Sequence, residues 1–183
     1  MRPPTAITGA RSDLGAVFAD ETAFRAWYER SLPNVYGYLF HRCGRNPELA
    51  EELTQQAFVE AVRSYGRFRG QADATTWVVG IARHKLVDHY RRAERETRRL
   101  AALGARELGA GRAESAPPTV PDDIDDALAL LPALQRSVLV LHYMDQLSVR
   151  EVARSLGKTE AATASLLARG RDAFRQAYSE ANR

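Results

Sequence analysis

The side chains Arg83, His84, Lys85, His89, Arg91 and Arg92 are expected on or beside one helical surface, with Trp77 one to two turns earlier. Cations at that density fix phosphate groups, and an indole face accepts an unstacked base of a single strand. A solvated helix face and a core tryptophan give the same letters, so the cluster alone leaves both readings open. The remaining reactive residues point away from covalent chemistry. His41, His84, His89 and His142 form no His-Glu-x-x-His array, and neither a Gly-rich phosphate loop nor a nucleophile elbow occurs. Cys43 is the only cysteine, which excludes a disulfide framework and a cysteine-based zinc site, and it reads as a small half-buried hydrophobe at a helix end. No enzyme, catalytic residue, metal or cofactor is expected.

A second constellation lies near the C-terminal end. In Ser148-Val149-Arg150-Glu151 the serine hydroxyl meets the Glu151 amide while the carboxylate reaches back, with Leu147 and Val152 at the two staple positions. Gly157 ends this short helix, because glycine adopts the left-handed conformation at little cost. Thr159 caps a longer helix reaching about Tyr178, with Thr163, Leu166 or Leu167, Gly170, Phe174 and Tyr178 facing inward. The product is a helix-turn-helix, which lays its second helix in the DNA major groove. The residues nearest the bases are Thr159, Glu160, Ala161, Ala164 and Ser165, followed by Ala168, Arg169 and Arg171. Two helices around a glycine turn also occur in ordinary bundles.

These groups need an all-helical frame. Phe24, Tyr28, Leu32, Val35 and Leu39 make one stripe, with a kink or break expected at Pro33 and an end at Gly44. Asn46 and Pro47 start the next helix, whose inner face is Leu49, Leu53, Ala57, Ala61 and Tyr65. A loop runs from Tyr65 to Ala74. Asp73 or Thr75 then caps a third helix with Trp77, Val78, Ile81, Ala82, Leu86 and Tyr90 inside. Ile124, Leu128, Leu131, Leu134, Val138 and Leu141 form a last stripe, broken at Pro132.

The organisation read from this pattern is two small helical domains joined by a flexible linker. Residues 1–20 are a disordered tail, 21–93 a three- or four-helix bundle, 94–121 the linker and 122–183 the helix-turn-helix domain. An extension of the third helix through Leu108 is the alternative to a linker start at 94. In a chain of 183 residues, two such halves bury only modest cores. The net charge of +3 permits a nucleic-acid partner, and the distribution says more than the total. Residues 83–99 hold seven Lys or Arg against three acids, whereas 121–126 is almost purely acidic. No signal peptide or membrane span is visible, so a cytoplasmic protein without membrane insertion is expected.

The stretch from Tyr65-Gly66-Arg67-Phe68-Arg69-Gly70 through Thr76-Trp77 to Tyr90-Arg91-Arg92 resembles conserved region 2 of bacterial sigma factors of the extracytoplasmic-function (ECF) group. Ala50 to Phe58 looks like the part of that region which grips RNA polymerase. The stretch from Leu131-Pro132 through Glu151-Val152-Ala153 to Arg169-Gly170-Arg171 looks like region 4. The resemblance covers about residues 20–92 and 124–180.

It implies a subunit that binds core RNA polymerase, directs it to promoters and assists melting. Glu52, Leu53, Gln55, Gln56 and Phe58 are then expected on the clamp helices of the largest polymerase subunit, with the flap as a further polymerase contact. Arg67, Arg69, Trp77, Arg83, His84, Lys85, His89, Arg91 and Arg92 are expected at the −10 element. The loop from Arg67 helps to hold a flipped base, whose unstacking the protein must offset. Arg150, Thr159, Glu160, Ala161, Ser165, Arg169 and Arg171 are expected at the −35 element. An anti-sigma protein is a further expected partner by resemblance only.

Some residues depart from the pattern. His84 stands where relatives often have Asn, Gln56 where an acid is common, and Ala164 and Leu166 where Lys and Arg are frequent. Fewer cations mean fewer phosphate contacts and a shallower salt dependence. A self-contained helix-turn-helix regulator is the competing reading; it leaves Trp77 and the Glu52–Phe58 segment unused.

Overall fold

The computed structural model describes residues 14–102 and 124–181, and local capping sets most helix ends within them. α1 spans Leu14–Ala19, α2 Glu21–Arg42, α3 Pro47–Ser64 and α4 Ala74–Ala102. After residue 123 come α5 (Ile124–Ala129), α6 (Ala133–Leu139), α7 (Val149–Leu156) and α8 (Glu160–Ala181). No strand occurs among the described residues. The Asp20 carboxylate accepts the Ala23 amide, the Asn46 side chain accepts that of Leu49, and Asp73, not Thr75, caps α4 through the Thr75 amide at 2.8 Å.

α2, α3 and α4 bundle around a shared interior. α2 turns Trp27, Ser31, Val35 and Leu39 inward at four-residue steps, and α4 contributes Ala74, Val78, Ala82, Leu86 and Tyr90 at the same spacing. Each fully buried Val or Leu here stabilises the fold by about 1.5–3 kcal/mol. Ser31 is completely buried and satisfied by the Thr75 hydroxyl at 2.8 Å. The break expected at Pro33 does not occur. Pro33 is exposed, so its missing N–H lies on the solvent side while the inner residues stay packed through it. Tyr65, expected inside, is 42% exposed and stacks on Phe18 at 5.0 Å.

Two boundaries differ from the sequence reading. Residues 14–19, placed in the unstructured tail, form α1, because Leu14 is buried and the Phe18 ring packs on Phe24, Trp27 and Tyr65. α4 continues past the expected linker start at 94 to Ala102, with Glu94 and Arg98 paired along it. Residues 1–13 and the rest of the linker lie outside the described residues.

The two halves share one interior, not two separate cores: buried side chains from α2, α3 and α4 are continuous with Leu128, Val138, Leu141 and Val152. Polar contacts seal the seam. The Arg136 guanidinium donates to the carbonyls of Leu128, Ala129 and Leu131 and, across the seam, to that of Cys43 at 2.9 Å. Asp145 accepts from Tyr38 Oη at 2.9 Å and from Arg42 Nε at 2.8 Å, and the Arg42 cation lies 3.8 Å from the Tyr38 ring centroid. Burial and the Asp145 carboxylate together push the Tyr38 hydroxyl well above its ordinary range. His41 pairs with Asp125, Arg45 with Asp126, and Lys158 with Glu94. Gly44 sits at the closest approach: its φ is +67°, and a Cβ there would meet the Ala129 Cα at 2.9 Å.

Candidate DNA- and protein-binding surfaces

The cations of α4 are divided between two sides of the helix. Arg83, His84 and Arg91 line a cleft of about 300 Å³ whose opposite wall is Leu147, Glu151, Arg154 and Ser155 of the α7 segment. Arg91 is held there, donating from Nη2 to the Arg154 carbonyl at 3.1 Å. Lys85 instead faces α3, with Nζ 3.2 Å from Glu60. His89 also turns toward α3. Burial holds its imidazole below the ordinary 6.5, against the Glu52 carboxylate, which favours protonation. Arg92 is exposed. The single cationic surface expected from sequence is thus two faces, because residues 83, 84 and 91 and residues 85, 89 and 92 lie on different sides of a 3.6-residue helix.

The loop before α4 places Arg67 and Arg69 in solvent. Between them Phe68 packs against Trp77, ring centroids 5.3 Å apart, which leaves Trp77 half-buried at the start of α4. An aromatic platform flanked by two free guanidinium groups suits a nucleotide drawn out of its stack.

The helix-turn-helix forms as its caps require. The Ser148 amide donates to Glu151 at 2.8 Å, the Glu151 amide donates back to Ser148 Oγ at 3.3 Å, and Gly157 takes φ +64°. The Ser148 hydroxyl, donating to the Glu151 carboxylate at 2.6 Å, and then the Ser148 amide hold that carboxyl below its ordinary value. Thr159 Oγ1 accepts the Ala162 amide at 3.1 Å and starts α8. Arg150, Thr159, Glu160, Ala161, Ser165, Arg169 and Arg171 are all exposed, whereas Thr163, Leu166, Leu167 and Gly170 are buried. Leu166 is therefore a packing residue, and its lack of charge costs no groove contact; Ala164 does face outward. Tyr178, expected inside, is 40% exposed.

On α3 the expected polymerase-facing set separates. Glu52 and Gln55 are exposed and Gln56 is partly so, donating to Glu52 at 2.9 Å. Leu53 and Phe58 are 2% and 5% exposed, and Phe58 lies edge-on to Trp27 and Tyr28. Both are packed beneath the outer face of α3 in this structure. That face also carries Val59 and Val62, 48% and 42% exposed. Sequence reasoning missed them, although stepping from Glu52 by three and four gives Gln55, Val59 and Val62 in turn.

A last apolar surface lies on the C-terminal half. Ile124, Leu128, Leu139, Tyr143, Met144 and Phe174 line a groove of about 330 Å³ bordered by Arg171 and Arg175. Ile124 and Tyr143 are more than half exposed there. Among the described residues, no three metal-ligating side chains converge and no helix is long and apolar enough to cross a membrane.

Comparison with known proteins assigns both halves. Residues 27–96 match the family Sigma-70 region 2, and residues 122–174 match Sigma-70, region 4. The chain is 32% identical over 168 residues to the RNA polymerase sigma factor CarQ of Myxococcus xanthus, covering 87% of this chain and 91% of that one. It is 34% identical over 152 residues to the ECF RNA polymerase sigma factor BldN of Streptomyces coelicolor, covering 79% of this chain but spanning only 56% of BldN. Among solved structures, the sigma factor RpoE in complex with the anti-sigma factor NepR from Bartonella quintana aligns at 19% identity and a TM-score of 0.49, over 85% of this chain and 96% of that one. The chain belongs to the RNA polymerase sigma factors, in their ECF group.

Proposed function

We propose that this sigma factor binds core RNA polymerase, directs it to specific promoters and assists their melting, with no chemistry of its own. The observation that carries this reading is the outer face of α3. Glu52, Gln55, Val59 and Val62 present an exposed, part-apolar surface that points to a protein partner and that DNA binding does not use. A self-contained helix-turn-helix regulator has no role for it. We assign this face to the polymerase clamp helices and the Ile124–Phe174 groove to the flap. Arg67, Arg69, Trp77 and the α4 cations serve the −10 element, and α8 serves the −35 element. The protein then acts in the cytoplasm, where polymerase and chromosome are, and an anti-sigma protein is its expected regulator.

Promoter engagement requires the halves to part. The −10 and −35 elements are about 25 base pairs apart, roughly 85 Å of duplex. α4, the longest helix described, has 29 residues and reaches only about 44 Å. With α7 packed over Arg83, His84 and Arg91, the closed form cannot grip both elements. Residues 103–123 fully extended would span roughly 70 Å, enough to let the halves separate. Binding to polymerase supplies the energy by covering α3 and the groove, so the closed form is the polymerase-free state.

The test is reconstitution. The purified protein with core polymerase is expected to give run-off transcripts from promoters mapped by genome-wide occupancy. A stable core complex that transcribes none of them would sink the reading. Val59→Glu with Val62→Glu is expected to weaken core binding at least tenfold while leaving the helical circular dichroism unchanged.

A further inference from the structure

The first turns of α8 carry an unusual inventory for a helix that lies in a major groove. Glu160, Ala161, Ala164 and Ser165 are exposed on one side, with Ala168 partly so. Thr159 is exposed too; its hydroxyl oxygen accepts the Ala162 amide and keeps its proton to donate. The buried Thr163 hydroxyl donates to the Thr159 carbonyl at 2.9 Å and is unavailable. Lys158, just before the helix, pairs with Glu94 of α4 while the halves are closed; once they part it lies ahead of the reading turns, where a cation suits a phosphate. No Arg, Lys, Asn or Gln faces outward between Thr159 and Ala168.

Each gap excludes a base contact. Arg and Lys read guanine through O6 and N7, and Asn and Gln read adenine through N6 and N7. Neither pair of donors is present in the reading turns. What remains is one carboxylate, the hydroxyls of Thr159 and Ser165, and a row of methyl groups. A carboxylate accepts from the N4 amino group of cytosine, and alanine methyls pack on the C5 methyl of thymine. The carboxylate also acts by repulsion, because the acceptor atoms of guanine and thymine at that position would face it unpaired. Its repulsion by nearby phosphates is offset by Arg150, whose Nε lies 4.0 Å from Glu160. The first cation on α8 is Arg169, about two and a half turns in, where it suits a phosphate.

Building on the sigma-factor reading above, we propose that α8 selects its −35 element through pyrimidines. Glu160 takes a cytosine amino group, and Ala161 and Ala164 take thymine methyl groups. Specificity in this half of the promoter is thus carried by apolar contact and by exclusion, with little help from cationic readout.

The experiment is selection of promoter DNA, randomised across both elements, by holoenzyme reconstituted from the full chain and core polymerase. The strand facing α8 is expected to return cytosine and thymine at consecutive −35 positions. Replacing each selected thymine by deoxyuridine, which removes only the C5 methyl, should weaken promoter binding about fourfold per position. Glu160→Gln should move the preference at the cytosine position toward adenine. Guanine at the positions facing the first two turns, or indifference to deoxyuridine, overturns the proposal even where a −10 sequence is selected. Failure to enrich any −10 or −35 sequence overturns it together with the sigma-factor reading, so the two failures are distinguishable.

Discussion

The α4 face gathers cations and shelters several of them, whereas the α8 face lies open and carries few. Arg83, His84 and Arg91 share a cleft with α7, and Arg91 is tied to the Arg154 carbonyl. Along α8 the first outward cation is Arg169. Charge density sets sequence-independent affinity for DNA, while groove-facing side chains set selectivity. Under the proposed function the α4 half supplies grip, but only after the halves part, and the α8 half supplies discrimination at low affinity. Such a protein is expected to bind promoters poorly alone and to acquire both functions on polymerase.

The largest effect is expected at the seam that keeps the two faces unequal. Asp145→Ala leaves Arg42, whose side chain is 13% exposed, without its carboxylate, and removes the acceptor for Tyr38. Loss of one partner of a buried pair costs about 3–5 kcal/mol. Urea unfolding should show that loss, and polymerase-free binding to nonspecific duplex should rise as the cleft opens. Unchanged stability would remove Asp145 from the seam.

Gly44→Ala acts on the same seam by sterics. The new Cβ meets the Ala129 backbone at a φ that side chains disfavour. Strain of this kind costs about 1–3 kcal/mol, visible as a lower melting temperature.

A smaller effect separates the faces electrostatically. Arg83→Ala or Arg91→Ala should each lower the slope of log affinity against log salt by about one in the holoenzyme. Ala164→Ser should leave that slope unchanged. Equal slopes for all three would erase the contrast between the helices.

The smallest effect is pH-linked. Burial lowers the His89 pKa below 6.5, with Arg92 and Arg136 acting in the same direction and Glu52 opposing them. The unfolded chain therefore takes up this proton first as acid is added. The contribution of neutral His89 is complete above pH 6.5 and declines as pH falls through the folded pKa. His89→Gln should remove that part of the acid sensitivity of the unfolding midpoint.

What the sequence disclosed was mainly local chemistry. Asn46-Pro47 and the Ser148–Glu151 box determine helix starts within a few residues, so their placement needed no tertiary information. Gly157 was equally legible, because a left-handed helix end selects glycine. Which helical face turns inward depends on neighbours far along the chain. Nothing local says that Leu53 is buried or that Trp27 and Tyr28 cover Phe58. Leu166 read both as an inward residue and as a departure at a groove position, and only the packing decides for the interior. No spacing marks Ser31 as buried, because the Thr75 hydroxyl that satisfies it lies 44 positions along the chain. The Asp145 contacts join residues more than 100 positions apart, and no periodicity encodes such a pair.

On the proposed function, one sigma factor holds two DNA grips together and releases them on polymerase. Energy transfer between dyes on Arg95→Cys and Arg154→Cys, one on each half, measures it directly. Cys43 is completely buried, and that burial pushes its thiol up to about 12, so the native cysteine stays unlabelled. Efficient transfer is expected in the free protein, with its loss when core polymerase is added. Efficient transfer that persists in a transcribing holoenzyme would contradict it.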